Sequence, residues 1–127
     1  MTIFDSSVWI AFLLRDDSQH TEAVRAINAI ADTIGVPESV IDEVCTVLSV
    51  RFKRKDIADQ FIETLQRGGK ANVMYSDPAF FDGVLSRYQL IDNRALSFTD
   101  VILLCFAEDH SVITFDADLR ASIARVK

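Results

Sequence analysis

Apolar residues in this chain fall into short blocks that alternate between two spacings. Four blocks are brief, rich in β-branched and aromatic residues, and bounded by polar or turn residues: Thr2-Ile-Phe before Asp5, Thr33-Ile-Gly-Val36 before Pro37, Asn72-Val-Met-Tyr75, and Ser111-Val-Ile-Thr-Phe115 before Asp116. Each predicts a short strand. The remaining blocks recur at three and four residues and predict helices. They are Val8–Leu14; Ala23, Ala26, Ile27 and Ile30, reaching about Ala31; and Ile41, Val44, Cys45, Leu48 and Phe52. Further along come Ile57, Ala58, Phe61, Ile62 and Leu65; Phe81, Val84, Leu85 and Tyr88; Val101–Phe106; and a last helix from Ala117 to about Ala124. Punctuation agrees. Ser6-Ser7, Pro37-Glu-Ser, Asp77-Pro78 and Ser97 or Thr99 are helix starts, and Gly68-Gly69 is a stop. Val101 to Phe106 leaves almost no polar face, so that helix is expected to be wrapped by other elements.

Strands separated by helices imply right-handed crossovers and a parallel sheet. The expected fold is α/β: a three-layer α/β/α sandwich with a four- to five-stranded parallel sheet, built as a single domain over residues 1–127. In such sheets a ligand sits outside the carboxyl ends of the strands. Asp5 and Asp116 close strands there. Asp100 opens the most apolar helix, and Glu43 lies in the first turns of the third, one step off its apolar face. Ionised carboxylates beside buried segments need compensation.

Composition narrows the function. The formal charge is −6, which argues against a nonspecific duplex binder, although a metal ion or a local basic patch can still hold phosphate. The one strongly basic run is Arg51-Phe-Lys-Arg-Lys55, so Arg51, Lys53, Arg54 and Lys55 are the candidate phosphate contacts, with a solvated helix end as the other reading. No apolar run approaches the ~20 residues needed to span a bilayer, and the start does not read as a signal peptide. A cytoplasmic location with no membrane contact is expected. Cys45 and Cys105 lack a Cys-x-x-Cys partner or nearby His and read as buried free thiols. His20 and His110 read as surface residues. Ser6, Ser7 and Ser97 have no evident His–acid partner, and Gly68-Gly-Lys70 lacks the other residues of a phosphate-binding loop.

If Asp5, Glu43, Asp100 and Asp116 converge, each raises its neighbours' pKa, and a hard divalent ion resolves the repulsion. Mg²⁺ or Mn²⁺ takes carboxylate oxygens, keeps waters and accepts phosphate, which is the equipment of a phosphodiesterase. Spacing alone leaves a second reading open. Asp5 and Asp100 can be ordinary helix-start acids, and Asp116 a cap for the last helix.

These motifs also carry a resemblance. Ile3-Phe-Asp-Ser-Ser-Val8, Val40-Ile-Asp-Glu-Val44, Leu96-Ser-Phe-Thr-Asp100 and Ile113-Thr-Phe-Asp-Ala-Asp118 together resemble the PIN domain, and more narrowly the VapC-type toxins of toxin–antitoxin pairs. The resemblance implies an Mg²⁺- or Mn²⁺-dependent endoribonuclease, held inactive by a cognate antitoxin and expected to form a homodimer. Position by position, it makes Asp5 and Asp100 the metal ligands and adds Glu43 and Asp116 to the catalytic set. Thr114, with Ser6 and Thr99, would steady the carboxylates. The chain departs from the family at Leu119, where Phe is common, and it leaves little room for a fifth strand. Asp42 and Asp118 are spare acids beside motif positions. Two alternatives stay in view: a catalytically inactive PIN-like binding module, and a phosphoacceptor receiver domain. The receiver would want paired acids directly after the first strand, where this chain has Ser6-Ser7.

Overall fold

A computed structural model describes residues 1–92 and 94–126. Asn93, in the loop expected over Leu90–Ala95, lies outside the described residues, as does Lys127. Strands β1 (Thr2–Phe4), β2 (Ile34–Pro37), β3 (Ala71–Met74) and β4 (Ser111–Ile113) form one parallel sheet in the order β3-β2-β1-β4. Ile3 lies level with Gly35 on one side and Val112 on the other. Across the β2–β3 pair, Gly35 faces Asn72. A Cβ on Gly35 would stand 2.2 Å from the Met74 sulfur, so glycine lets that side chain lie flat on the strand.

The helices are α1 (Ser6–Leu13), α2 (His20–Asn28), α3 (Glu38–Thr46), α4 (Lys55–Arg67), α5 (Pro78–Leu90), α6 (Phe98–Phe106) and α7 (Ala117–Val126). Helix α1 packs on α2 and α3, and α3 on α4, whereas α5 and α7 pack on α6. Right-handed crossovers from β1 to β2 to β3 run one way along the sheet, and the return from β3 to β4 runs the other way. The two groups of helices therefore cover opposite faces, completing the α/β/α sandwich. Among the described residues there are four strands, and the segment after β4 is helix α7 rather than a fifth strand.

The core follows from the apolar blocks. Ile3, Phe4, Val8, Val36, Val40, Val44, Leu48, Val101, Leu103 and Leu119 are buried. Helix α6 buries Val101 to Leu104 without a break, as its missing polar face requires. Trp9 anchors the other side, with its ring edge-on to Phe4 and Phe12 and tilted on Phe61.

Several local expectations need correction. Helix α1 begins at Ser6 and is capped by Asp5, so Ser6 and Ser7 lie inside its first turn rather than before it. Pro37 ends β2 and is itself the N-cap of α3. The apolar face of α3 runs through Val40, Val44 and Leu48; Ile41 is half-buried, and Phe52 is 45% exposed because a π-turn over Val47–Arg51 rotates the helix end outward. On α5 only Val84 is buried, whereas Phe81, Leu85 and Tyr88 stand 37%, 45% and 47% exposed. That helix meets α6 through Phe80, which stacks on Phe106 at 4.3 Å, while Phe81 and Tyr88 lean on Phe98 at 5.9 and 5.3 Å with their outer sides open. Cys45 and Cys105 are free but only half-buried. His20 and His110 are half-buried too, and the His20 ring holds the Ala11 carbonyl at 2.9 Å through Nδ1.

Candidate active site

From β1 the chain moves to β2 on one side, while β4, on the other side, is reached last. The carboxyl ends of β1 and β4 therefore flank the point where the sheet reverses its winding, the place where open parallel sheets gather ligands. Asp5 leaves β1 there, its amide still on the ladder to Ile113 O at 3.0 Å. Its side chain is 4% exposed. Oδ1 accepts from Ser6 N at 2.7 Å, and Oδ2 accepts from Thr114 Oγ1 at 2.7 Å and Ser7 Oγ at 3.1 Å. Those donors compensate a charge that would otherwise be costly to bury.

The other acids arrive from three further elements. Glu43, half-buried on the second turn of α3, accepts from Ser6 Oγ through Oε1, so Ser6 joins the elements that carry Asp5 and Glu43. Asp100 lies in the first turn of α6, in a reciprocal cap. Its Oδ2 accepts from Ser97 N at 2.9 Å, and its amide donates to Ser97 Oγ at 3.1 Å. Asp116 follows β4, and its Oδ1 accepts from Leu119 N at 2.9 Å, at the start of α7. Thr114, 4% exposed, accepts from Asp116 N at 3.0 Å while donating to Asp5.

Glu43 and Asp100 register the charge of their acidic neighbours. Partial burial raises the Glu43 carboxyl above its usual range; the Ser6 hydroxyl opposes this, and the charges of Asp5, Asp100 and Asp42 add to it. Asp100 is raised too, first by burial and then by Asp5 and Asp116, against the pull of the Ser97 amide. Among the described residues the ion pairs join Arg54 to Asp56, Lys55 to Asp59 and Arg87 to Glu108, none of them at this edge. Carboxylates with no ion-pair partner among the described residues, interleaved with hydroxyl oxygens, suit a hard divalent cation; the nearby Arg120 guanidinium is turned to the Thr114 carbonyl at 2.9 Å.

The fit has a limit. Among the described residues no three acid, histidine or cysteine side chains stand close enough to enclose an ion as they are. Caps occupy one oxygen each of Asp100 and Asp116. Mg²⁺ is commonly held by one or two carboxylates with water completing the shell, so an open edge is compatible with it where a closed cage is not required. Nor is the edge a deep pocket. One pronounced groove, of about 580 Å³, runs between Arg87, Leu96, Leu104 and Arg125, and another, of about 400 Å³, lies beside β4.

Other sequence candidates fall elsewhere. Thr99 is half-buried at the start of α6, and among the described residues its hydroxyl bonds to none of the acids. Arg51 comes eight residues after Glu43 along the same helical run, roughly 12 Å further from the sheet edge. Arg54 and Lys55 are engaged with Asp56 and Asp59, which leaves Arg51 and Lys53 outside any ion pair among the described residues. Asp42 and Asp118 are exposed. Ser7 was not singled out from the sequence, yet its hydroxyl touches Asp5 and accepts from Phe115 N at 3.1 Å. The available signal was the Ser-Ser pair directly after the strand-closing acid.

Comparison with known proteins identifies the family and the fold. The PIN domain profile matches residues 2–124. A solved structure of Mycobacterium tuberculosis VapC20, described as a sarcin–ricin loop cleaving toxin, superposes with a TM-score of 0.85 at 19% sequence identity. The superposition covers 96% of this chain and 95% of that one. No curated protein sequence gives a significant match.

Proposed function

The chain belongs to the PIN domain family, and on that premise we propose that it is a divalent-cation-dependent endoribonuclease acting as the toxin of a VapBC-type pair. The observation that supports this is the charge coupling of Glu43 to Asp5 and Asp100, and of Asp100 to Asp5 and Asp116, at the winding reversal, with no ion pair to any of them among the described residues. Likeness to a structure described as a loop-cleaving toxin supports the toxin reading. The family match leaves the receiver-domain alternative without support.

In this reading Asp5 and Asp100 hold Mg²⁺ or Mn²⁺, which when bound supplies charge neutralisation at phosphate and lowers the pKa of water. Glu43 holds its proton more tightly than an ordinary glutamate, so it is the carboxylate suited to take a proton from the attacking water. As the new P–O bond forms, the bond to the departing nucleotide oxygen breaks, and that oxygen takes up a proton. Asp116 orients water from the other side, with Thr114 setting its backbone. Arg51 and Lys53 are the cations of the basic run left to meet RNA phosphate.

The antitoxin is expected to place a basic side chain against the acidic edge, where charge complementarity favours it. For a homodimer, the exposed Phe81, Leu85 and Tyr88 on α5, continued by Phe98, offer an apolar surface.

The test is cleavage of structured RNA with Mn²⁺, comparing wild type with Glu43→Gln and Asp100→Asn, alongside melting curves with and without Mn²⁺. Loss of cleavage in both variants with an intact fold is expected. The wild type should melt higher with the ion, by about 2.7 kcal/mol at a hundredfold excess over Kd. Cleavage that survives both substitutions sinks the assignment, and a wild type blind to Mn²⁺ points instead to an inactive binding module.

A further inference from the structure

The two oxygens of Asp5 are treated differently. Oδ2 accepts from two hydroxyls, Ser7 Oγ at 3.1 Å and Thr114 Oγ1 at 2.7 Å. Each hydroxyl accepts in turn from a backbone amide across the site: Ser7 Oγ from Phe115 N at 3.1 Å, and Thr114 Oγ1 from Asp116 N at 3.0 Å. Two parallel relays thus run from successive amides, through a hydroxyl, to one carboxylate oxygen. Two donors fill the lone-pair sites of Oδ2. Oδ1 accepts from Ser6 N at 2.7 Å, while Ser6 Oγ, 3.3 Å away, spends its one proton on Glu43. Capacity to accept a further partner therefore remains on Oδ1, beside the Ser6 hydroxyl that holds Glu43.

We infer that Ser7 is a positioning residue: by filling Oδ2 it makes Oδ1 the oxygen that Asp5 presents to the reaction, and it fixes the backbone that leads into Asp116. This rests on the nuclease reading for its consequence, but not for its geometry. Ser7 and Thr114 hold the same oxygen from opposite sides, one from α1 and one from the end of β4, and their own oxygens are 3.4 Å apart. Either alone preserves part of the alignment, whereas loss of both frees the carboxylate to rotate. A reacting group that drifts by about 0.5 Å is already outside productive geometry.

The experiment uses the full chain with Ser7→Ala, Ser7→Thr, Thr114→Val and the Ser7→Ala/Thr114→Val double variant. Ser7→Ala is expected to lower kcat on RNA about tenfold with KM unchanged, a typical loss for a side chain that orients a ligand. Ser7→Thr should restore it. The double variant should lose more than the product of the single losses, because the supports back each other up. Amide hydrogen exchange supplies a readout that needs no substrate: Ser7→Ala should accelerate Phe115 and spare Asp116, and Thr114→Val should do the reverse. Full kcat in Ser7→Ala, unchanged protection of Phe115, or failure of Ser7→Thr to restore activity overturns the inference. Should the wild type cleave no RNA, the nuclease reading falls, and the exchange of Phe115 alone decides whether the relay exists.

Discussion

Replacing Thr114 with Val keeps the shape of a buried side chain and removes only its hydroxyl. That hydroxyl makes two bonds, donating to Asp5 Oδ2 at 2.7 Å and accepting from Asp116 N at 3.0 Å. A hydrogen bond to a buried charged group contributes about 1.5–3 kcal/mol, and a neutral one about 1 kcal/mol. Asp5 retains Ser6 N and Ser7 Oγ, and Asp116 is exposed enough for its amide to turn to water. The loss therefore falls toward the low end of what the two bonds together contribute, at about 2–3 kcal/mol. For 127 residues the entropy of unfolding is on the order of 0.27 kcal/mol/K, so each kcal/mol moves Tm by about 4 °C. Thr114→Val should thus melt roughly 8–12 °C lower in calorimetry with chelator present.

Thr114→Ser provides the counterpart, because it keeps the hydroxyl and deletes a methyl group. One buried methyl is worth about 1 kcal/mol, or roughly 4 °C here. The order of the two variants is the test. If Thr114→Ser costs as much as Thr114→Val, the residue serves packing. If Thr114→Val melts within about 3 °C of wild type, the network around Asp5 does not stabilise the fold as argued.

Burial and like charge raise the carboxyls of Glu43 and Asp100 above their usual 4.5 and 3.8. The folded chain therefore keeps these protons to higher pH than the unfolded chain does. Their contribution to stability is full below about pH 4 and is lost as pH rises through the raised values. In chelator, Glu43→Gln should melt a few degrees above wild type at pH 7 and converge with it near pH 4; melting curves across that range check the sign. Leu85→Asp sits at the centre of the outward stripe on α5 and should abolish the proposed homodimer, read by light scattering on wild type and variant, while leaving the melting midpoint within about 2 °C. Lys53 holds φ +57°, with Arg54 N closing the helix end on Leu48 O at 2.8 Å. Glycine avoids the steric cost of that left-handed position, so Lys53→Gly should raise Tm by about 4 °C while weakening RNA binding, measured by anisotropy.

The strands were readable because each is a β-branched run stopped by an acid, a proline or a turn, and the order of runs fixed the alternation with helices. Other features depend on neighbours that the chain order does not reveal. Phe81, Leu85 and Tyr88 repeat at the spacing of a buried face, but periodicity identifies a face without identifying what covers it, and here α6 touches Phe81 and Tyr88 only through the Phe98 ring at its start, leaving all three more than a third exposed. The π-turn over Val47–Arg51 has no composition signal, so the spacing places Phe52 on a face from which the helix end has rotated away. Ser7 looked like part of a cap. Its role appears only once β4 lies beside β1, which brings Phe115 and Thr114, more than a hundred residues later in the chain, against the first turn of α1.

The acids themselves show why spacing could not choose between a helix cap and a reactive carboxylate. Asp5, Asp100 and Asp116 are all cap acids: each accepts from an amide in or beside the first turn of a helix. In a parallel sheet, a helix that follows a strand, as α1 and α7 do, begins at the carboxyl edge, and one that leads straight into the next strand, as α6 does, starts from the same side, so a carboxylate in its first turn is carried to the ligand-binding edge. The cap fixes one oxygen and leaves the rest of the group at the rim. Capping is therefore how these acids are aimed, and the two readings of the sequence describe one arrangement. Glu43 is the exception that carries the distinction. Among the described residues it caps no helix; it stands in the second turn of α3 and is held by a hydroxyl from another helix, so neutralising it tests the chemistry with the least disturbance to a helix start.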